Sequence, residues 1–307
     1  MTTSQQSPSD GAAAGAPSTR RPLIGINTFV WHSPINTREL AAVARRIAGW
    51  GFDAIEIPLE QEGDWDPVAA REVFDEVGLT PIVGAVWPPG RELVAAPADV
   101  VASTQGYVRH CVDVAVAAGS TTVIGPIYTS VGRLWRISPD DRRVIVRDLR
   151  EALRPCADYA GVRGVRLAIE PLNRFETSVF NTTAQILELI EGLPPEAVGL
   201  NLDTFHMNIE EKSIPGALRE AGDRLIHLHT CGNDRGAPGR DHIDWDGIRT
   251  ALLEIGFEGA FGIESFTPDN DTIATAAAIW RPLAESPDAL AQDGLAFLQR
   301  LTADWDA

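Results

Sequence analysis

Val165-Arg166-Leu167-Ala168-Ile169-Glu170-Pro171-Leu172-Asn173-Arg174-Phe175-Glu176-Thr177 is the stretch on which the reading of this chain turns. Its first five residues form a short apolar run broken only by Arg166, which suits a strand buried in a parallel sheet. The run stops on a carboxylate, and Pro171 has no N–H to give to a central ladder. Glu170 is therefore expected where a strand becomes a loop. Three later runs repeat the design. Val198-Gly199-Leu200-Asn201-Leu202 stops on Asp203, Leu225-Ile226-His227-Leu228 on His229, and Ala260-Phe261-Gly262-Ile263 on Glu264. Four consecutive strand ends thus carry a carboxylate or an imidazole.

Working outward, Leu23–Asn27, Ala54–Ile57, Pro81–Val86 and Thr121–Ile124 read as four earlier strands. Helical patterns alternate with them. Thr37 is expected to cap the first helix, Asp66-Pro67 to open the second, Ser103 to begin the third and Ser138-Pro139 to cap the fourth. Val108, Val112 and Val116 are assigned to one face of the third helix; Val144, Val146, Leu149 and Leu153 to that of the fourth. Further helices follow Thr182, Ile214-Pro215 and Trp245, and a last one follows Asp288. Gly51, Gly78 and Gly119 supply stops. Eight strands alternating with helices predict an α/β fold, a (β/α)8 TIM barrel, as one domain over residues 22–307 that includes the C-terminal helix. A doubly wound open sheet is the alternative. It usually has fewer repeats and a glycine-rich first turn, which Gly25 and Gly51 do not make. Residues 1–21, mostly Ser, Ala, Gly, Gln and Thr, read as a disordered tail without the apolar core of a secretory signal.

A chain of 307 residues, 44% hydrophobic, can bury a large core. No apolar run approaches the ~20 residues of a spanning helix, so a soluble protein is expected. The net charge of −17 opposes nucleic acid and anionic membranes as partners. Cys111, Cys156 and Cys231 are too few and too scattered for a disulfide framework or a paired-cysteine zinc motif. Cys111 and Cys156 fall on apolar helix faces as small core residues, and a reducing cytoplasm is the expected compartment. Of 26 basic residues only Lys212 is a lysine, in a polar loop after Glu210-Glu211. Schiff-base chemistry needs a buried lysine of lowered pKa at the barrel mouth, so amine catalysis is not expected.

Barrel active sites lie at the carboxyl ends of the strands, where these groups fall. Three carboxylates and one imidazole suit Mn²⁺, Mg²⁺ or Co²⁺ better than structural zinc. Each acid taken singly reads as a helix cap or an arginine partner. Four at successive strand ends argue for a bound cation, because buried charge is costly unless something binds it. His206 lies shortly beyond Asp203. Arg235 follows His229 across a loop that would set a guanidinium over the mouth, with a solvated loop charge as the alternative. Glu176 stands in the same relation to Glu170. Trp31, Trp87, Trp135 and Phe266 are candidates for pocket walls, with core packing as the other reading. His32 and His242 read as loop residues rather than ligands.

These motifs carry a resemblance. Glu170-Pro171-Leu172-Asn173-Arg174-Phe175-Glu176-Thr177, Asn201-Leu202-Asp203-Thr204-Phe205-His206-Met207-Asn208 and Glu264-Ser265-Phe266 resemble the ketose 3-epimerases. These are the D-tagatose, D-allulose and L-ribulose 3-epimerases of the sugar phosphate isomerase/epimerase (xylose isomerase-like TIM barrel) superfamily. His229 through Arg235, His242-Ile243-Asp244-Trp245, Gly125-Pro126-Ile127-Tyr128 and Gly132-Arg133 fit the same pattern. The resemblance implies one divalent ion, Mn²⁺ or else Co²⁺ or Mg²⁺, on Glu170, Asp203, His229 and Glu264. It also implies that Glu176, His206 and Arg235 bind the sugar around its carbonyl end, and that the chain forms a homodimer or homotetramer. The expected reaction inverts C3 of a free ketohexose or ketopentose through a metal-stabilised enediolate, with Glu170 and Glu264 as base and acid.

Other reactions fit the same expected site: sugar isomerisation, dehydration of an inosose, or lyase cleavage of a 3-oxo C-glycoside. An endonuclease of the superfamily would need more histidine ligands. Phosphorylated substrates are less expected, since Arg235 has no arginine cluster or glycine-rich loop around it after the last two strands. A sugar-sensing or scaffold barrel is the non-enzyme reading, which a complete acid pair disfavours.

Overall fold

The computed structural model describes residues 20–266 and 268–305. Eight parallel strands close on themselves: β1 (Leu23–Asn27), β2 (Ala54–Leu59), β3 (Thr80–Ala85), β4 (Thr122–Gly125), β5 (Arg166–Ile169), β6 (Val198–Asp203), β7 (Leu225–His229) and β8 (Ala260–Ile263). The seam that an open sheet would lack is made by β1 against β8, with Leu23 opposite Ala260 and Ile26 opposite Ile263. The helices among the described residues are α1 (Thr37–Trp50), α2 (Pro67–Val77), α3 (Ala98–Ala118), α4 (Pro139–Gly161), α5 (Thr183–Ile190), α6 (Thr204–Glu210), α7 (Ile214–Ala221), α8 (Trp245–Glu254), α9 (Asp271–Ala276) and α10 (Pro287–Leu301). This is the (β/α)8 barrel expected. The tail expected over residues 1–21 lies outside the described residues except for its last two; Arg21 pairs with Asp53 at 3.0 Å.

Several local expectations are corrected. Asn36, not Thr37, caps α1: its side chain accepts from the Arg38 and Glu39 amides, and Glu39 returns the bond to the Asn36 amide. The Thr37 hydroxyl instead accepts from the amide of Asp66, which caps α2. The third helix starts at Ala98 behind Pro97, and Ser103 lies inside it. Val116 and Val144 are exposed rather than buried. A four-residue step overshoots one helical turn by about 40°, so Val116, third in its four-spaced series, has rotated off the buried face, and Val144 stands about 200° around its helix from Val146. Val114 and Ala115 take its place in α3, and Ile145 joins Val146 in α4.

Packing has two parts. One core lies between barrel and helices, with Leu40, Ile47, Phe74, Leu149, Leu200 and Leu252 among its buried members. A smaller cluster of Ala54, Ile82, Ile124, Ala168, Ile226 and Ala260 plugs the amino end of the barrel interior. Cys111 and Cys156 are buried free thiols, pushed by burial up to about 12 and about 11, so both are unreactive packing residues. Among the described residues no helix is long and apolar enough to cross a membrane.

Candidate active site

The four strand ends converge. Ligand atoms of Glu170, Asp203, His229 and Glu264 all lie within 4.8 Å of one another. Glu170 leaves β5 with its amide bonded to the Gly125 carbonyl at 3.0 Å, while its own carbonyl accepts from the Tyr128 hydroxyl at 3.0 Å. Asp203 ends β6 and caps α6 directly, accepting the Phe205 amide on Oδ1 at 2.7 Å. That strand-to-helix junction, unanticipated in the sequence, fixes His206 one turn above Asp203. His229 Nδ1 lies 3.0 Å from Glu170 Oε1 and 3.5 Å from Glu264 Oε2. A cavity of about 810 Å³ opens above, lined by Glu170, Glu176, His206, His229, Arg235 and Glu264, with Trp87, Phe205 and Phe266 in its walls. Trp31 and Trp135 pack partly buried against the core instead. A hollow of about 410 Å³ at the opposite end of the barrel lies away from this set.

Arg235 is buried, which excludes the solvated loop charge. Its backbone is left-handed, φ 70°, a conformation that costs a non-glycine residue ~1 kcal/mol or more. The Ser265 hydroxyl bonds its carbonyl, and Phe205 and Phe266 flank the guanidinium at 4.2 and 5.3 Å from their ring centres. Nη1 bridges Asp203 Oδ2 and Glu264 Oε2, the latter at 2.8 Å. Glu176 stands 4.0 Å from Nη2 and accepts from Asn173 Nδ2 at 2.8 Å. His206 Nδ1 accepts the backbone amide of Asn173 at 3.1 Å, so its proton sits on Nε2. That N–H cannot accept from Arg235 Nη2, 3.1 Å away, and is left as a donor at the cavity.

The sequence reading passed over two residues that complete the site. Glu56 of β2 and His227 of β7 lie fully inside the barrel beneath His229. Glu56 takes His227 Nε2 on Oε1 at 2.8 Å and His229 Nε2 on Oε2 at 3.1 Å. Burial raises the Glu56 carboxyl, but the two imidazoles outweigh it and hold the group well below the usual carboxylate range. The available signal was a lone acid inside the apolar run of β2, since acids are almost never fully buried unpaired.

The donor set fits a divalent cation. With Nε2–H committed to Glu56, the Nδ1 lone pair of His229 faces the carboxylates of Glu170 and Glu264. Two acceptors at 3.0 Å repel unless a cation lies between them. Where only a proton can serve, burial lowers the affinity of His229 for it, yet Glu264, Glu56 and Glu170 hold the imidazolium well above its ordinary range. Glu264 is itself pushed up to about 8, by burial first and by Glu170 and Asp203, against the pull of His229 and Arg235. Three converging carboxylates are thus short of positive charge. The hard oxygens and single imidazole suit a six-coordinate ion such as Mn²⁺, Mg²⁺ or Co²⁺. Cys231 adds no soft ligand, because burial and Asp203 hold its thiol protonated well above the usual range.

A model of the xylose isomerase-like TIM barrel family matches residues 44–301. The chain belongs to that family. Among its members, the chain is 34% identical over 278 residues to a probable ketose 3-epimerase of Synechocystis sp., covering 90% of this chain and 95% of that protein. It is 40% identical over 253 residues to a D-psicose 3-epimerase of Ruminiclostridium cellulolyticum, covering 79% and 84%. The crystal structure of a D-allulose 3-epimerase from Methylomonas sp. in complex with D-allulose superposes with a TM-score of 0.84 at 27% identity, covering 91% and 97%. Within the family these relatives are carbohydrate epimerases, and the chain is an enzyme of the isomerase class.

The site also sets a packing constraint. A Cβ added to Gly262 of β8 would lie 1.5 Å from Glu56 Oε1 and 2.7 Å from His227 Nε2. Gly262→Ala is therefore expected to destabilise the barrel by about 3 kcal/mol, read as a lowered urea midpoint with an unchanged slope.

Proposed function

We propose that the protein inverts C3 of a free ketose, a ketohexose or ketopentose, with a divalent ion held by Glu170, Asp203, His229 and Glu264. The observation that carries this reading is the convergence of those four side chains at the floor of a cavity that admits a sugar. The kinship with ketose 3-epimerases supports it. When bound, the ion supplies Lewis-acid stabilisation of the negative charge that develops on the enediolate oxygens.

The protein's own groups supply the rest. Inversion requires that the C3 proton leave from one face of the sugar plane and return on the other. Glu170 follows β5 and Glu264 follows β8, three strands apart around the closed barrel, so their carboxylates can approach a bound sugar from different faces. One takes the proton and the other delivers one, and the roles exchange in the reverse direction. His206 Nε2–H and the Arg235 guanidinium are the donors available to the carbonyl-end oxygens. Glu176, tied to Asn173, offers an acceptor for a sugar hydroxyl.

The test is isotopic. Incubated in D₂O with Mn²⁺ and a panel of ketohexoses and ketopentoses, the protein should place deuterium at C3 and yield the C3 epimer on chromatography. Loss of C3–H without any epimer, or a product altered at another carbon, would overturn the assignment.

A further inference from the structure

Below the proposed metal ligands, the carboxylate of Glu56 crosses the barrel interior from β2 to β7. It passes over β8 at Gly262, the position where a methyl group would occupy its place. His227 and His229 are two residues apart on one strand, so both rings point inward. They meet edge to face at 88° with centres 5.0 Å apart. Each ring reaches its own oxygen, His227 on Oε1 and His229 on Oε2. The ligand atoms of Glu56, His227 and His229 also lie within 4.8 Å of one another, and the two N–H···O bonds account for that closeness without an ion. A carboxylate only accepts, which places a proton on Nε2 of both rings. The side-chain amide of Asn201 stands 3.3 Å from His229 Nδ1. Asn27 Nδ2 adds a weak contact to Glu56 Oε2 at 3.4 Å.

We propose that Glu56 is the positioning residue of the metal centre, locking His229 as the Nε2–H tautomer so that its Nδ1 lone pair stays aimed at Glu170 and Glu264. The inference rests on the reading of that cluster as a metal site. His229 could otherwise rotate or change tautomer, and either movement would turn an N–H toward the ion. A carboxylate behind a ligating imidazole also raises its basicity, and loss of such a partner typically weakens metal binding 10- to 100-fold. His227 occupies the second oxygen, so the Glu56 carboxylate cannot swing away from His229.

The experiment measures Mn²⁺ affinity by calorimetry in the wild type, Glu56→Gln and Glu56→Ala. Glutamine keeps the volume but has one acceptor atom and no charge, so its Kd should rise about 10-fold; alanine removes both bonds and should raise it about 100-fold. In protein labelled with ¹⁵N-histidine and loaded with diamagnetic Mg²⁺, the wild type should show a fixed Nε2–H tautomer at His229. Glu56→Gln should show a mixture at an unchanged melting temperature, which a merely structural role would not produce. If Glu56→Ala does not fold, Glu56→Gln alone decides. Wild-type Kd and tautomer in Glu56→Gln would overturn the inference while leaving the metal site standing. A wild type that binds neither ion would remove the metal reading itself, and this inference with it.

Discussion

Glu170→Gln and Glu264→Gln, assayed at saturating Mn²⁺, are each expected to lower kcat for epimer formation by about 10³-fold or more. A positioned acid or base contributes typically 10²- to 10⁴-fold, and glutamine in either place also weakens one ligand of the ion. Proton exchange separates the two losses. A variant that keeps one working carboxylate still removes and returns the C3 proton on one face. It therefore exchanges C3–H of one epimer with D₂O and leaves the other untouched. The two variants should choose opposite epimers, because each carboxylate serves a different face of the sugar. Loss of metal binding alone would abolish exchange of both. Wild-type rates in either variant would remove that residue from the acid–base pair.

Much of this was legible in the chain because strands, turns and caps act locally. Pro171 after Glu170, and an apolar run ending on Asp203, His229 or Glu264, mark strand ends without any knowledge of their neighbours. Closure of the barrel followed from the count of repeats, and convergence of the four groups follows from closure. What stayed hidden depends on contacts distant in sequence. Glu56 meets His229 across 173 residues, and only closure brings β2 and β7 within reach of one side chain. The burial of Arg235 depends on Phe205 from α6 and Phe266 from the loop after β8. The tautomer of His206 is set by a backbone amide 33 residues earlier. Helices α6 and α9 were missed because at seven and six residues they are too short to show a hydrophobic period.

Exhaustive chelation should abolish epimer formation while leaving the barrel folded, and Mn²⁺ or Co²⁺ should restore turnover. The fold survives because its cores, the layer under the helices and the plug at the amino end, contain no proposed ligand. The ligand set survives because Arg235 bridges Asp203 and Glu264, and a proton on His229 can lie against Glu170. Those charges neutralise the site in place of the ion, so its removal does not leave three bare buried carboxylates. They cannot replace its chemistry, since a guanidinium held between two acids is not free to meet an enediolate oxygen. Readdition should therefore release Arg235 toward the cavity as well as supply the Lewis acid. Because the ion binds the folded state and not the unfolded chain, Mn²⁺ at a hundred times its Kd should add about 2.7 kcal/mol of stability. A rise in melting temperature with Mn²⁺ concentration measures that gain by calorimetry. Chelated protein that still epimerises at the parent rate would refute metal dependence, and with it the role given to the four strand ends.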